Sequence, residues 1–554
     1  MIGVGLWLTL ISCQPSHNVP DGFVVVSQEQ QVSWQRIFNP LLINGSARWP
    51  TVAGIYEPLL IYNPMESGYV PWLATSHYFN DDATNLTVEL RDGVRWSDGE
   101  LFTAEDVRFT FELLRDTPGL DGRGLWSDLD SIQVIDNSVV FQFKQPCFSG
   151  LERIAHQSIV PKHIWEKIEN PGTFPNPNPV GTGPFTEVTH FTSQSWRLEA
   201  NPHYWQELGV KGLEFPALPS NEQATLALLQ GEVDWAGNFL PAIDRIFVDR
   251  DPEHHQYWFP TSGASVLLYP NHQREPLDDK RVRQAISMGI DRALLVKVAL
   301  HNYVSPADES GLSSAYDAWK MPTWDERVPW TEYNPTEASR LLDEAGWILV
   351  DGQRQKDGET LTLDVSVVSG WSDWVRAAQV VSRSFQEMGI ESSVVNQDFG
   401  SWFQRLQQGE FDVSLGWSED GPHPIGFYES MLSARAVKPV GEIASINWHR
   451  YAHPKADELV DRFEQTADPE TQLRVGQELQ RFFVEDVPAI PLFLNPSWGE
   501  FNSTRITGFP SAENPYARLS PNHMPEALLV MTQLKMTTAP SVGTRGVATP
   551  SVGE

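Results

Sequence analysis

A mixed α/β architecture in about three domains is what this sequence predicts, on three observations. The chain has 554 residues, too many for one compact core at a usual ~100–200 residues per domain. Apolar residues make up 41% and charged residues 20%, the balance of a globular protein and not of a disordered chain or a membrane bundle. Strand-like apolar runs alternate with amphipathic helical stretches, the pattern of mixed α/β domains.

The strand-like runs are Gly22–Ser27, Leu86–Leu90, Val139–Lys144 and Leu361–Val368. Helical periodicity, with acidic and basic residues alternating with apolar positions, marks Ala104–Leu114, Asn221–Gly231, Asp278–Leu300, Pro335–Ala345, Asp373–Met388 and Pro469–Glu485. Local chemistry supports several of the ends. Thr103 precedes the first of these helices with Asp106 three residues on, a capping box, and Gly231 and Gly346 fall where helices should stop. Asp98-Gly99 reads as a turn, and Gly181-Thr182-Gly183-Pro184 as a sharp connection.

Charge and cysteine content exclude several classes. With 72 acidic against 40 basic residues the formal charge is -32, so the surface repels phosphate backbones and nucleic acid is not an expected partner. The two cysteines, Cys13 and Cys147, rule out a disulfide framework and a zinc site of several thiolates. No metal and no cofactor are expected, and Cys147 reads as a small buried side chain. Outside the N-terminus no apolar run approaches the ~20 residues of a membrane span. The motifs G-x-S-x-G, H-E-x-x-H, G-x-x-x-x-G-K-[ST] and paired C-x-x-C are absent.

The ends have their own character. Residues 1–13, MIGVGLWLTLISC, form an apolar stretch that resembles a bacterial lipobox, which implies lipidation of Cys13; the alternative is a chance apolar N-terminus, since no Lys or Arg precedes it. Residues 14–22 read as a tether. Residues 536–554, with APSVG and then TPSVG, read as a disordered tail.

A series of collinear signatures carries a family resemblance. In order they are Ile55-Tyr56-Glu57-Pro58-Leu59, LRDGVRWSDGELFTAEDVRFTFE (90–112), NPVGTGPF (178–185), NPHYW (201–205), LLQGEVDWA (228–236), DDKRVRQAISMGIDR (278–292), LLDEAGW (341–347), GEFDVSLGW (409–417) and EDVPAIPLF (485–493). Together they resemble bacterial extracellular solute-binding proteins of family 5, which deliver oligopeptides, dipeptides, nickel chelates or oligosaccharides to ABC importers. Most of these motifs are structural on physical grounds: Arg281, Arg283 and the Asp291-Arg292 pair read as charge pairs on a helix surface.

The resemblance implies a periplasmic-binding-protein-like fold of type II, cluster C, with two hinged lobes and an accessory α/β domain. By position, the first lobe takes 23–52, 180–262 and 495–535, the accessory domain 53–179, and the other lobe 263–494. It also implies a non-enzymatic, monomeric protein in the periplasm or cell envelope, whose partners are a small solute, the membrane subunits of an ABC permease and, through Cys13, a membrane.

Aromatic residues in polar contexts suggest the solute. Trp34 with Arg36, Trp235 with Asn238 and Phe239, Trp371 with Asp373 and Trp374, and Trp417 with Asp420 place flat apolar faces beside hydrogen-bonding groups, a combination that suits pyranose rings. Within the family the chain looks most like the members that bind cello- or chito-oligosaccharides. The segments WQRIFNP (34–40), GEVDWAGNFLPAID (231–244), SGWSDW (369–374) and TGFPSAENP (507–515) carry this, and add Phe509 and Asn514 to the candidate ligand contacts. An oligopeptide is the rival cargo, because Gly416-Trp417-Ser418-Glu419-Asp420 is similar to a segment whose Asp meets a peptide's α-ammonium group. Nickel is weaker, since the histidines are scattered and His254-His255 would point apart in a strand. A glycoside hydrolase is the remote alternative, with Glu57, Asp373, Glu419 and Asp420 as its candidate carboxylates.

Overall fold

The computed structural model describes residues 19–42, 53–122, 124–322 and 329–537. Cys13 with its lipobox, most of the expected tether and nearly all of the expected tail lie outside the described residues. Among these, no helix is long and apolar enough to cross a membrane.

Three larger sheets organise the chain. The seven-stranded sheet runs, edge to edge, His255–Tyr257, Glu500–Asn502, Trp235–Ala236, Phe23–Ser27, Gly212–Pro216, Ser195–Ala200 and Phe185–Phe191. Its central strand, Phe-Val-Val-Val-Ser, is buried along its whole length and pairs in parallel with Gly212–Pro216 on one side and Trp235–Ala236 on the other. A continuous apolar run is what a strand covered on both faces needs. The five-stranded sheet orders Val394–Gln397, Val365–Val368, Val413–Trp417, Thr261–Pro270 and Ile490–Pro496, with the first three mutually parallel. An antiparallel four-stranded sheet holds Ala74–Phe79, Asn85–Leu90, Ser138–Phe143 and Leu129–Ile135.

Helices start where their caps predict. Ala104–Asp116 begins after Thr103, whose backbone N–H donates to Asp106 Oδ2 at 2.8 Å. Helices Asn221–Leu229 and Pro335–Glu344 end just before Gly231 and Gly346, both with positive φ. The long helix expected over Asp278–Leu300 is in fact two, Lys280–Met288 and Arg292–Ala299. The physical reason is Asp291, whose carboxylate accepts the Leu294 N–H at 2.9 Å and so opens a new helix after Gly289 and Ile290.

The arginines of that region correct a second expectation. Arg281 does pair with Asp279 on the surface, but Arg283 and Arg292 are buried and tie backbone carbonyls together. Arg283 donates to the carbonyls of Val487, Leu277, Asp278 and Asp486, and Arg292 to those of Pro491, Ser287 and Thr331. A guanidinium with five donors can satisfy several orphaned carbonyls at once, which is why these positions stitch helices to the loop and strand at Asp486–Pro491.

Glu57 is likewise structural. It is fully buried, and Trp72 Nε1 and Tyr204 Oη donate to its Oε1 at 2.6 and 3.0 Å. Burial raises its carboxyl from 4.5 to about 7 against the lowering effect of those hydrogen bonds. The folded protein therefore holds a proton that the unfolded chain releases, so stability from this group is present below the unfolded value and is lost as pH rises through about 7. Glu57→Gln keeps an acceptor for Trp72 and is expected to lose less stability than the wild type between about pH 5 and 8, a difference of up to about 3 kcal/mol. Scanning calorimetry at both pH values checks this; equal losses would place the titrating group elsewhere.

Candidate functional site

The parallel strands of the two larger sheets converge on one cleft. Strands Phe23–Ser27 and Trp235–Ala236 lead at their C-terminal ends into Glu29-Gln30 and Gly237-Asn238-Phe239, while Val365–Val368 and Val413–Trp417 lead into Trp371–Trp374 and Ser418–Gly421. All of these residues except Ser372 line a cavity of about 330 Å³. Ligands of open α/β sheets bind beyond the carboxyl ends of parallel strands, because the connections there splay apart and leave a crevice. A second chamber of about 490 Å³ shares Tyr62, Asp420 and Gly421 with the first and is lined further by Tyr69, Phe148, Tyr316, Trp319 and Glu152. The two chambers adjoin at these three residues, and each is of the size of a small-ligand pocket.

The wall on the five-stranded side is aromatic. Trp371 packs edge-on to Trp374 at 4.9 Å and lies 5.8 Å from Phe399, while Trp417 stacks on Phe403 at 5.8 Å and sits 5.5 Å from Trp402. Trp402 is buried behind them, its Nε1 donating to Ser414 Oγ at 3.1 Å. Trp371 and Trp417 are only partly buried, so they present ring surface to the cavity with a rigid aromatic backing. Across the cleft stands Phe239, edge-on to Trp498 at 5.4 Å and with the Arg376 guanidinium 5.3 Å from its ring centre.

Polar groups complete the lining. Asp373, buried at the start of helix Ser372–Glu387, accepts from Asn221 Nδ2 at 3.2 Å, and the Asn221 backbone N–H donates to Gly370 O at 3.0 Å. Burial raises the Asp373 carboxyl to about 6. Asp420 accepts from Arg518 Nη1 at 2.6 Å, and Arg518 Nε donates to Glu526 Oε2 at 2.6 Å. Gln30 Nε2, Asn238 Oδ1, Trp371 Nε1 and Asn522 Oδ1, all on lining residues, are buried without a hydrogen-bond partner. A buried polar atom left unpaired costs roughly 1–3 kcal/mol, so a ligand rich in hydroxyl groups gains by meeting these atoms.

The structure thus brings Asn238, Phe239, Trp371, Asp373, Trp374, Trp417 and Asp420 together on the cavity, and places the other candidates elsewhere. Trp34 is buried edge-on against Trp196 at 6.0 Å. Arg36 is occupied outside the cleft by Pro177 O and Asn178 Oδ1. Trp235 is fully buried with its Nε1 donating to Leu519 O at 2.6 Å, and Phe509 stacks on Phe501 at 4.5 Å. Asn514 is exposed in the turn it closes with Ser511. These five are corrected from ligand contacts to core or surface, because polar neighbours in sequence do not decide which way a ring faces. Of the carboxylates considered for hydrolysis, Glu57 is caged away from the cavity, while Asp373, Glu419 and Asp420 line it.

Arg518, Glu526, Asn221, Gln30 and Trp498 also line the cavity, and no sequence motif marks them. The histidine pair has separate partners, His254 with Asp251 and His255 with Phe247 O. Among the described residues the closest set of metal-ligating types, Asp128, Cys147 and Glu464, already surrounds a cation: Arg153 lies 2.8 Å from Asp128, and its Nη2 is 3.4 Å from both Cys147 and Glu464.

Comparison with known proteins agrees with this geometry. The model of bacterial extracellular solute-binding proteins, family 5, middle part, matches residues 68–438. The nickel-binding periplasmic protein of Escherichia coli is 25% identical over 68% of this chain and 72% of its own length. Di/tripeptide-binding protein 2 of Pseudomonas aeruginosa is 26% identical over 82% and 86%. Among solved structures, a Thermotoga maritima periplasmic oligopeptide-binding protein bound to mannohexaose superimposes with a TM-score of 0.85 at 24% identity, covering 93% of this chain and 99% of that one. The expected type II binding-protein fold is borne out by that similarity.

Proposed function

The chain belongs to the bacterial extracellular solute-binding proteins of family 5 and is therefore the substrate-binding component of an ABC importer; from that premise we propose that its cargo is an oligosaccharide of the cello- or chito-oligosaccharide kind. The observation that carries this reading is the Trp371–Trp417 wall facing Phe239 across a cavity whose lining holds unpaired neutral donors and acceptors. Sugar rings bury their C–H faces on such aromatic surfaces and satisfy amides and indoles with their hydroxyls. The mannohexaose in the T. maritima structure supports the reading.

The peptide reading has its own support, the name of the P. aeruginosa relative and the position of Asp420 on the cavity. It is weakened because Arg518 already takes Oδ2 of that carboxylate.

Two lobes, 23–52 with 180–262 and 495–535 on one side and 263–494 on the other, would close on the solute, with 53–179 as the accessory domain. The division is supported by the two larger sheets drawing their strands from those stretches. Asn221 with Asp373, Arg376 with Phe239, and Arg518 with Asp420 are then the contacts that change on opening. The cargo drives closure only by binding the closed state better than the open one. The proposal includes a monomer delivering cargo to a permease outside the cytoplasm, without hydrolysing it, and a lipid anchor at Cys13.

A thermal-shift screen tests the reading. Cello- or chito-oligosaccharides should raise the Tm with increasing concentration, as binding to the folded state alone requires, and should come back from the protein uncleaved. A response to oligopeptides with none to sugars rejects it.

A further inference from the structure

Arg518 is an arginine of the cleft lining that no motif marked, and its surroundings are unusual. It lies on the seven-stranded side, where Trp235 Nε1 holds the neighbouring Leu519 carbonyl at 2.6 Å. Asp420 comes from the other side, following strand Val413–Trp417, and packs so closely on strand Thr261–Pro270 that a Cβ on Gly263 would meet its Oδ1 at 2.4 Å. Arg518 spans the gap. Nη1 donates to Asp420 Oδ2 at 2.6 Å, Nε to Glu526 Oε2 at 2.6 Å, and its backbone N–H to Glu526 Oε1 at 2.7 Å. The side chains of Arg518 and Glu526 are only 9% and 3% exposed, whereas Asp420 is 24% exposed and lines both chambers.

The cavity is otherwise acidic, with Glu29, Asp373, Glu419 and Glu526 on its wall besides Asp420. A partly enclosed acidic pocket attracts cations, and the Arg518 guanidinium offsets this one. An incoming ammonium group would have to displace a desolvated, bidentate-capable cation already satisfied by two carboxylates, which is costly.

We propose that Arg518 is a specificity-determining residue: a built-in cation that occupies Asp420 and so keeps ligands with a positively charged end from using the cleft. This rests on the oligosaccharide reading and deepens it, since it names what the site rejects and the group that rejects it. Specificity comes here from a repulsive element, and removing that element should change the ligand class and not merely weaken binding.

The experiment compares the wild type, Arg518→Met and Arg518→Lys by calorimetric titration with tetra-alanine, N-acetyl-tetra-alanine and a cello-oligosaccharide. The wild type and Arg518→Lys are expected to bind neither peptide, or to bind both within about threefold of each other. Arg518→Met leaves Asp420 and Glu526 without their cation and should favour the free amine over the acetylated peptide by on the order of tenfold to a hundredfold. Absence of that preference in Arg518→Met, or its presence already in the wild type, overturns the proposal. Should Arg518→Met not fold, Arg518→Met with Glu526→Gln removes the deeper buried carboxylate along with the arginine, and the same preference is expected from Asp420 alone. The sugar arm is independent: a wild type that binds no oligosaccharide removes the cargo reading, while the amine preference still decides what Arg518 does.

Discussion

Trp371→Ala is expected to lower oligosaccharide affinity about thirty- to a hundredfold, a loss of about 2–3 kcal/mol, while the Tm falls by only a few degrees. The two effects separate because of where the ring sits. One side rests edge-on against Trp374 and near Phe399 and Trp417, and the other belongs to the cavity wall. Truncation removes a stacking platform outright but only part of the aromatic packing. Trp402→Ala supplies the contrast. That ring is buried behind the wall and its indole is hydrogen-bonded to Ser414, so its loss should act on stability first, by about 3–5 kcal/mol. Titration and melting of both variants check the pair; equal melting losses with no change in affinity for Trp371→Ala would make that residue core.

Gly183→Ala is expected to prevent accumulation of folded protein or to destabilise it by more than about 4 kcal/mol. A Cβ built on Gly183 would lie 1.9 Å from Gly54 O and 2.7 Å from Ile55 O, and one on Gly181 would lie 1.9 Å from Ile55 O. Backbone carbonyls cannot swing aside as side-chain ends can, and the Gly183 N–H donates to that same Ile55 O at 3.0 Å. The connection Gly181-Thr182-Gly183-Pro184 is therefore clamped against Gly54-Ile55, just ahead of the caged Glu57. Gly358→Ala is the matched control: φ is +88° with nothing within 4 Å of the added carbon, so the cost is only the conformational one, about 1 kcal/mol. Yield and urea melts of the two variants decide it.

How much of this was legible in the sequence depends on how local the cause is. Thr103 with Asp106, and Gly231 and Gly346, act within a turn or two of chain, and the helices they bound lie where their spacing indicates. The break at Asp291 is equally local, yet apolar periodicity continues on both sides and hides it. Burial of Arg283 and Arg292 depends on carbonyls some 200 residues downstream, which no window along the chain contains. In the site, polar sequence contexts single out Trp371 and Trp417, and both reach the cavity because each sits at or just beyond the carboxyl end of a parallel strand, where side chains reach the crevice. Trp235 shares that context, but its ring is buried in the core, where its Nε1 donates to Leu519 O. Arg518 has no signature at all: its meaning comes from Asp420, 98 residues earlier on the facing wall.

The central proposal is that the cleft binds an oligosaccharide. Calorimetric titration of the full wild-type chain with a length series of cello- or chito-oligosaccharides tests it most directly, each sugar compared with a free-amine oligopeptide of similar length. Saturable one-to-one binding of the sugars is expected, with a negative heat-capacity change from burial against the Trp371–Trp417 wall and affinity that rises with chain length as the second chamber fills. Saturable binding of the free-amine peptide, with no heat from any sugar, would contradict it.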